Sequence, residues 1–213
     1  MELEYLIQEP ENTENAPLII LLHGYGSNEK DLFSFAPELS SNYRIISLRA
    51  PYNLGMGDAY AWYAINFDAD QNKFSDLDQA KSSLNLLVTL IGDFQRKYGN
   101  TAKNTALIGF SQGCILSLAL GLNHPELVQN IVGLSGYLME ELLPEDKSKT
   151  SNLKIYNSHG SMDAVIPFSW AAKTEEKLAP LGLDYTFESY PVGHGVHPRN
   201  FYSFKNWLEE KLG

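Results

Sequence analysis

Ser111 is the residue whose surroundings point most directly to a catalytic role. It lies in the centre of Gly109-Phe110-Ser111-Gln112-Gly113, between an apolar run at 105–108, typical of a buried strand, and a longer one at 114–120, typical of a buried helix. A Gly-x-Ser-x-Gly at a strand-to-helix turn is the pattern of a nucleophile elbow. The two glycines have a steric reason, because a Cβ beside so tight a turn would collide with backbone. An ordinary serine in a glycine-rich turn would give the same pattern, so the other parts of a site must be sought.

A serine hydroxyl becomes a good nucleophile only when a neighbouring imidazole takes its proton. The chain has five histidines, and we expect His194 to be this base, with His197 as the alternative. His194 lies between Gly193 and Gly195, and glycines on both sides permit a close backbone approach and an unusual turn. The other histidines have simpler expected roles: His23 orients the loop after its strand, His124 and His197 cap helix ends, and His159 packs under a loop.

The imidazole in turn needs a carboxylate that holds it in one tautomer. Asp163 follows a predicted strand by a short turn, whereas Asp184 lies at the start of a strand, at the wrong end of a parallel sheet. An Asp in an ordinary turn, or one that caps the next helix, is the simpler interpretation of Asp163. The order serine, aspartate, histidine along the chain is nevertheless the order that the elbow architecture uses.

An acyl-transfer site also needs two backbone N–H groups that point at the developing oxyanion. One is expected from Gln112, the residue after the serine, and the other from the loop that begins at His23. In that loop we expect Tyr25 to be the donor, with Gly26 as second choice. Cys114 lies one turn into the helix rather than at the strained position, so we expect it to be a small buried apolar residue.

These candidates are brought together only if the strands before them are parallel neighbours. Strands are predicted at 3–8, 18–22, 44–48, 105–108, 128–134, 153–157 and 184–189, and helices at 29–36, 76–98, 114–120, 169–178 and 198–212. Continuous apolar strands such as Leu18-Ile19-Ile20-Leu21-Leu22 suit a sheet covered on both faces. The alternation predicts an α/β fold with a mostly parallel central sheet and helices on both faces. In such folds ligands bind beyond the carboxyl ends of the strands, where the candidates lie.

Two segments around the predicted sheet carry further signals. The segment 50–75 shows no clear period and has many aromatic residues, so we expect an irregular, functional loop. The helix at 76–98 has an apolar face repeating every three or four residues, with Ser75 as the expected cap and Gly99-Asn100 as its end.

Composition limits the class of protein. The 213 residues, 44% of them hydrophobic, predict a single domain over 1–213. A net charge of −10 without a basic cluster excludes nucleic acid as an expected partner. There is no run of eighteen apolar residues for a membrane span, and the amino terminus lacks the features of a secretory signal, which favours the cytoplasm. One cysteine, Cys114, excludes an internal disulfide and a multi-cysteine zinc site.

Five segments, in order, resemble a known family. They are Leu21 to Leu32 with its His23-Gly24-Tyr25-Gly26 core, Arg49-Ala50-Pro51, the pentapeptide at 109–113, His159 to Pro167, and Gly193-His194-Gly195. Together they resemble the phospholipase/carboxylesterase family of α/β-hydrolases, which includes the acyl-protein thioesterases. The resemblance spans nearly the whole chain. It implies an α/β-hydrolase fold with Ser111, Asp163 and His194 as a triad and Tyr25 and Gln112 as oxyanion donors.

The resemblance also implies an acyl pocket lined by the loop that carries Trp62 and Tyr63, with Val165 nearby. From the residues alone, Trp62 could equally be an anchor packed into the sheet. The loop departs from that of the eukaryotic thioesterases, so short- to medium-chain acyl groups are the expected substrates.

The function expected from these signals is a serine hydrolase of carboxylic or thio esters, acting on a small molecule without a metal or other cofactor. Exposed apolar residues near the long loop could serve a homodimer or only a pocket wall. The alternatives are hydrolysis of another acyl bond (lactone, lysophospholipid or peptide) and a binding protein that has lost turnover.

Overall fold

Eleven strands are present in the computed structural model, which describes residues 3–67, 73–144 and 152–213. They are β1 (Tyr5–Gln8), β2 (Leu18–Leu22), β3 (Arg44–Leu48), β4 (Tyr52–Asn53), β5 (Tyr60–Ala61), β6 (Ile65–Phe67), β7 (Lys73–Ser75), β8 (Thr105–Phe110), β9 (Asn130–Leu134), β10 (Lys154–Gly160) and β11 (Asp184–Tyr190). Seven of them form one sheet in the order β1-β3-β2-β8-β9-β10-β11. Only β1 is antiparallel to its neighbour; the other six strands run parallel. The predicted mostly parallel central sheet is therefore confirmed.

Five α-helices cover the sheet: α1 (Lys30–Phe33), α2 (Leu77–Tyr98), α3 (Gln112–Asn123), α4 (Phe168–Leu178) and α5 (Pro198–Leu212). Strand β2 shows how both faces are buried. Leu18, Ile20 and Leu22 pack into a core with side chains from α2, α3 and α4, whereas Ile19 and Leu21 pack into a second core with α1 and α5. Successive strand residues point to opposite faces, which explains why this strand is apolar without alternation. In the described ranges, no helix combines the length and apolarity needed to cross a membrane.

Helix α2 ends as predicted but begins at Leu77, one residue later than predicted. Asp76, not Ser75, is the N-cap, and its side chain accepts a hydrogen bond from the Gln79 N–H at 3.0 Å. Ser75 is instead the last residue of β7. The Asp76 carboxylate at the N-cap also interacts favourably with the helix dipole. At the other end Gly99 has φ +75°, the left-handed conformation in which glycine ends a helix.

The segment 50–75 is more regular than its sequence predicts. It contains two antiparallel ribbons, β4 with β5 and β6 with β7. The prediction of an irregular loop is wrong here because strands of two and three residues are too short to show an alternating pattern. Residues 68–72 of this segment lie outside the described part of the chain.

The carboxyl ends of the parallel strands lie along one edge of the sheet. The loop after β2, the turn after β8 and the loops after β10 and β11 therefore meet there. These are the four places that hold the chemical candidates.

Candidate active site

Ser111 occupies a strained turn between β8 and α3. Its φ and ψ are +53° and −113°, a conformation that a residue with a side chain rarely adopts. A Cβ on Gly109 would overlap the backbone of Gly113, and a Cβ on Gly113 would overlap the carbonyl oxygen of Leu22. The structure thus confirms the steric reason predicted for both glycines. The strain holds the Ser111 side chain at the amino end of α3, above the edge of the sheet.

Ser111, His194 and Asp163 form one line of hydrogen bonds. His194 Nε2 lies 3.1 Å from Ser111 Oγ, and His194 Nδ1 lies 2.7 Å from Asp163 Oδ2. The Asp163 side chain is completely buried, while that of His194 is 18% exposed. The three residues lie 83 and 31 positions apart in sequence and are joined only by the fold.

The hydrogen bonds of the Asp163 carboxylate favour its charged form. Oδ1 accepts from the N–H groups of Val165 at 2.8 Å and Ile166 at 2.9 Å, and Oδ2 accepts from His194. Burial raises the pKa of Asp163, but the hydrogen bonds from His194, Ile166 and Val165 outweigh it and hold this pKa below its usual value. Since an ionised carboxylate can only accept, His194 Nδ1 carries the hydrogen and Nε2 is left to accept the Ser111 proton.

The loop that carries His194 is positioned by a glycine other than those predicted. Gly193 and Gly195 both have room for a Cβ and ordinary backbone angles, so the expected steric need for them is wrong. Gly160, at the end of β10, is where the loop approaches closely, because a Cβ there would overlap the carbonyl oxygens of Val192 and Gly193. Glycine is thus required on the strand beneath the loop rather than beside the histidine.

The other four histidines have the structural roles that the sequence predicts. His23 is buried, accepts a hydrogen bond from the Ala50 N–H at Nε2 (3.0 Å) and donates from Nδ1 to the Gly24 carbonyl (2.8 Å). Burial lowers the pKa of His23, and the Nε2 that accepts from the Ala50 N–H belongs to a neutral ring. His124 is the C-cap of α3. His197 is the N-cap of α5, and its side chain accepts a hydrogen bond from the Arg199 N–H. His159 is buried, and its Nε2 donates to the Ile166 carbonyl.

The predicted oxyanion donors lie on two segments in contact. A Cβ on Gly24 would be 3.2 Å from Ser111 Cβ, so the loop after β2 packs directly on the elbow. The Gly26 N–H, the second choice for the donor, already donates to the Tyr60 carbonyl at 2.8 Å. In the ranges that the structure describes, the N–H groups of Tyr25 and Gln112 donate to no other group. The geometry therefore favours Tyr25 over Gly26.

An ion pair supports the loop after β2. The Arg49 guanidinium makes two hydrogen bonds, of 2.6 and 2.8 Å, to the buried Glu29 carboxylate and lies 4.8 Å from the centre of the Tyr60 ring. The hydrogen bonds from Arg49 lower the pKa of Glu29. Tyr60 in turn pairs with the loop after β2 through the Gly26 N–H and the Ser27 carbonyl. This pair was not singled out from the sequence, because its partners are 20 residues apart.

The side chain of Gln112 holds the segment of residues 60–64 in place. Its Oε1 accepts from the Trp62 N–H at 3.1 Å, and its Nε2 donates to the Tyr63 carbonyl at 2.8 Å. The Trp62 indole is fully buried and donates to the His23 carbonyl at 2.9 Å. Trp62 is therefore a loop anchor, which is one of the two roles that the sequence analysis left open. Its assignment to the acyl pocket is not supported, because the buried ring lies outside the cavity lining.

A cavity of about 220 Å³ adjoins Ser111 and His194. Tyr25, Tyr63 and Val165 contribute to its wall, in the places where the sequence expects them. The other lining residues are Ile65, Ser75, Gln112, Ile115, Tyr137, Ile166 and Trp170. Apart from Gln112, no sequence signal singles them out, since side chains from five separate segments converge here.

Neither thiol chemistry nor a bound metal is indicated by the described side chains. Burial raises the pKa of the Cys114 thiol to about 12, and the side chain is fully enclosed, which fits the expected apolar role. Over residues 3–67, 73–144 and 152–213 there is no group of three His, Cys, Asp or Glu residues that could hold a metal ion.

Comparisons with known proteins place the chain in a family. A family model described as phospholipase/carboxylesterase matches residues 4–212. Acyl-protein thioesterase 1 of Yarrowia lipolytica is 25% identical over 97% of this chain and 96% of its own length. Esterase YpfH of Escherichia coli is 26% identical over 92% of this chain and 83% of its own.

Solved structures agree with the fold. The crystal structure of esterase PE8 superposes with a TM-score of 0.86 over the full length of both chains, with 25% sequence identity. The strained serine turn, the parallel sheet and the family match over residues 4–212 thus lead to one assignment. The chain belongs to the phospholipase/carboxylesterase family of α/β-hydrolases.

Proposed function

We propose that this carboxylesterase-family enzyme cleaves carboxylic or thio esters of short to medium acyl chains through a covalent acyl-enzyme on Ser111. The observation that carries the proposal is the line from Ser111 Oγ to His194 Nε2 and from His194 Nδ1 to Asp163. Its order and distances are those required for activation of a serine hydroxyl.

In the first half-reaction, Ser111 Oγ forms a bond to the carbonyl carbon of the ester while its proton passes to His194 Nε2. The carbonyl oxygen becomes an oxyanion that accepts from the N–H groups of Tyr25 and Gln112. When the tetrahedral intermediate collapses, the bond to the alcohol or thiol breaks, and His194 returns its proton to the leaving group. Asp163 stabilises the transient imidazolium and stays ionised throughout.

In the second half-reaction, water replaces the alcohol. His194 takes a proton from the water, the hydroxide attacks the acyl carbon, and collapse of the second intermediate returns the proton to Ser111 Oγ. The products are a carboxylic acid and an unchanged enzyme. Apart from the substrate and the water, these steps use only side chains and backbone groups of this chain.

The size of the cavity supports short to medium acyl groups as substrates. At about 30 Å³ per heavy atom, which is the share of a water molecule in the liquid, 220 Å³ accommodates about seven such atoms. An acyl chain of four to six carbons with its carbonyl group fits this space. Esters and thioesters share the acyl half, so the cavity supports both. The names of the relatives, an esterase and an acyl-protein thioesterase, agree with this class.

Substitution of the nucleophile tests the proposal. We expect Ser111→Ala to lower kcat for p-nitrophenyl butyrate by at least about 10³-fold while the protein stays folded. Ser161→Ala is the matched control, because this exposed hydroxyl binds only the Tyr190 carbonyl in the described structure. A Ser111→Ala rate within tenfold of wild type would end the proposal.

A further inference from the structure

A second void lies beside the cavity at Ser111. It is an open groove of about 980 Å³ between α4, the start of α2 and the segment 137–141. Three apolar side chains, Leu77, Leu138 and Met139, contribute to its wall, and charged groups such as Lys173 and Glu141 also line it. A groove with both kinds of lining can take an aliphatic chain while it stays open to water.

The cavity and the groove share a wall. Ser75, Tyr137 and Trp170 line both spaces, so these three side chains separate them. The rings of Tyr137 and Trp170 meet edge to face, with centroids 4.9 Å apart and an angle of 75° between their planes. Edge-to-face packing of this kind holds both rings in place. An aromatic pair thus stands between the cavity and the groove.

Trp170 is the part of this wall that an acyl chain could displace or a substitution could remove. It lies in the first turn of α4, and its side chain is 43% exposed. In the ranges described, its indole N–H makes no hydrogen bond, and Tyr137 is its one aromatic partner. Tyr137, in contrast, is half-buried and packs against the core. Removal of the indole would therefore leave the surrounding fold in place.

We propose that Trp170 sets the upper limit on acyl length by closing the cavity where it would otherwise open into the groove. This inference rests on the proposed function, since the cavity must hold the acyl half of an ester. With Trp170 in place the space ends after about six carbons. Without it, the apolar part of the groove receives the carbons beyond that point, and straight-chain esters of eight to ten carbons become good substrates.

The test is the ratio of kcat/KM for p-nitrophenyl octanoate to that for the butyrate, measured below the concentration at which the esters aggregate. Each newly buried methylene contributes about fourfold, so two of them should raise the ratio about 15-fold in Trp170→Ala. Trp170→Phe keeps a ring in the wall and should leave the ratio close to that of wild type. Tyr202→Ala is the matched control, because it also removes an exposed aromatic ring from a helix but lies outside both voids.

The outcome is read from the ratio alone, whatever the absolute rates. A change of less than twofold in Trp170→Ala, or an equal change in Tyr202→Ala, would overturn the assignment. If the alanine variant does not fold, Trp170→Leu takes its place with the same criterion. A Ser111→Ala variant run in parallel separates the two proposals. An unchanged ratio with Ser111-dependent hydrolysis overturns only the role of Trp170, whereas hydrolysis that persists without Ser111 overturns both.

Discussion

The two halves of Gln112 should have separable effects on the enzyme. Its backbone N–H is a proposed oxyanion donor, and its side-chain amide holds Trp62 and Tyr63 through bonds of 3.1 and 2.8 Å. The substitution Gln112→Ala removes the amide and keeps the N–H. It should therefore destabilise the fold around the segment 60–64 much more than it impairs the chemistry of acyl transfer.

The size of the effect follows from the groups left without partners. The Trp62 N–H and the Tyr63 carbonyl belong to residues that are almost fully buried, and a buried polar group without a partner costs about 1–3 kcal/mol. We expect Gln112→Ala to lower the free energy of unfolding by about 2–6 kcal/mol, the sum for two such groups. Loss of an oxyanion donor would instead reduce kcat by about 10²–10³-fold. Because the donor remains, kcat for p-nitrophenyl acetate should fall less than tenfold.

The assay is urea unfolding followed by fluorescence, combined with steady-state hydrolysis of p-nitrophenyl acetate at a temperature where each variant is folded. Gln79→Ala is the matched control. The Gln79 side chain accepts one hydrogen bond, from the Ala64 N–H at 2.8 Å, in a half-buried setting on the same segment. This variant should lose about 1 kcal/mol. If Gln112→Ala were no less stable than Gln79→Ala, or if its kcat fell 100-fold with the fold intact, the reasoning would be refuted.

Three further predictions concern the parts that hold the site. In a screen of solubility and activity, Gly113→Ala should give insoluble or inactive protein, because the new Cβ would overlap a backbone carbonyl. Gly92→Ala, in a helix beside a flexible side chain, should be tolerated in the same screen. Arg49→Met leaves a buried carboxylate unpaired and should cost about 3 kcal/mol in urea unfolding, while Lys30→Met, which breaks an exposed pair, should cost less than about 1 kcal/mol. Asp163→Asn should reduce kcat by about 10⁴-fold. Because the pKa of the Asp163 carboxyl is lowered in the folded state, its contribution to stability is present above about pH 4 and is lost as the pH falls through that lower pKa. Unfolding measured as a function of acid pH should show this loss of stability in wild type and not in Asp163→Asn.

The sequence predicts the sheet well because the information is local. Strand β2 is a continuous apolar run, Leu18 to Leu22, and it is buried on both faces as such a run requires. Strand β8 illustrates the limit: it continues through Gly109 and Phe110 to the edge of the elbow, whereas the apolar pattern ends at residue 108. Glycine carries no side chain to mark a strand, so the register at this end could be seen only in three dimensions.

The candidate site was predictable where the chemistry requires a particular residue type at a particular place in the fold. A strained serine between glycines, and an aspartate and a histidine after successive strands, limit the choices to a few residues. The cavity beside Ser111 was less predictable, since Ile65, Ile115, Tyr137 and Trp170 are apolar residues like many others in the chain. Their role depends on which loops meet, and no local pattern contains that information. The assignment of Trp62 to the pocket failed for the same reason, because a tryptophan in a loop can either line a cavity or anchor the loop.

An activated hydroxyl at Ser111 is best tested by covalent labelling with a fluorophosphonate. We expect addition of one probe per chain, measured by intact mass and located by peptide mapping at Ser111, with labelling absent in Ser111→Ala and strongly slowed in His194→Ala. Modification at another residue, or folded wild-type protein that stays unlabelled, would contradict it.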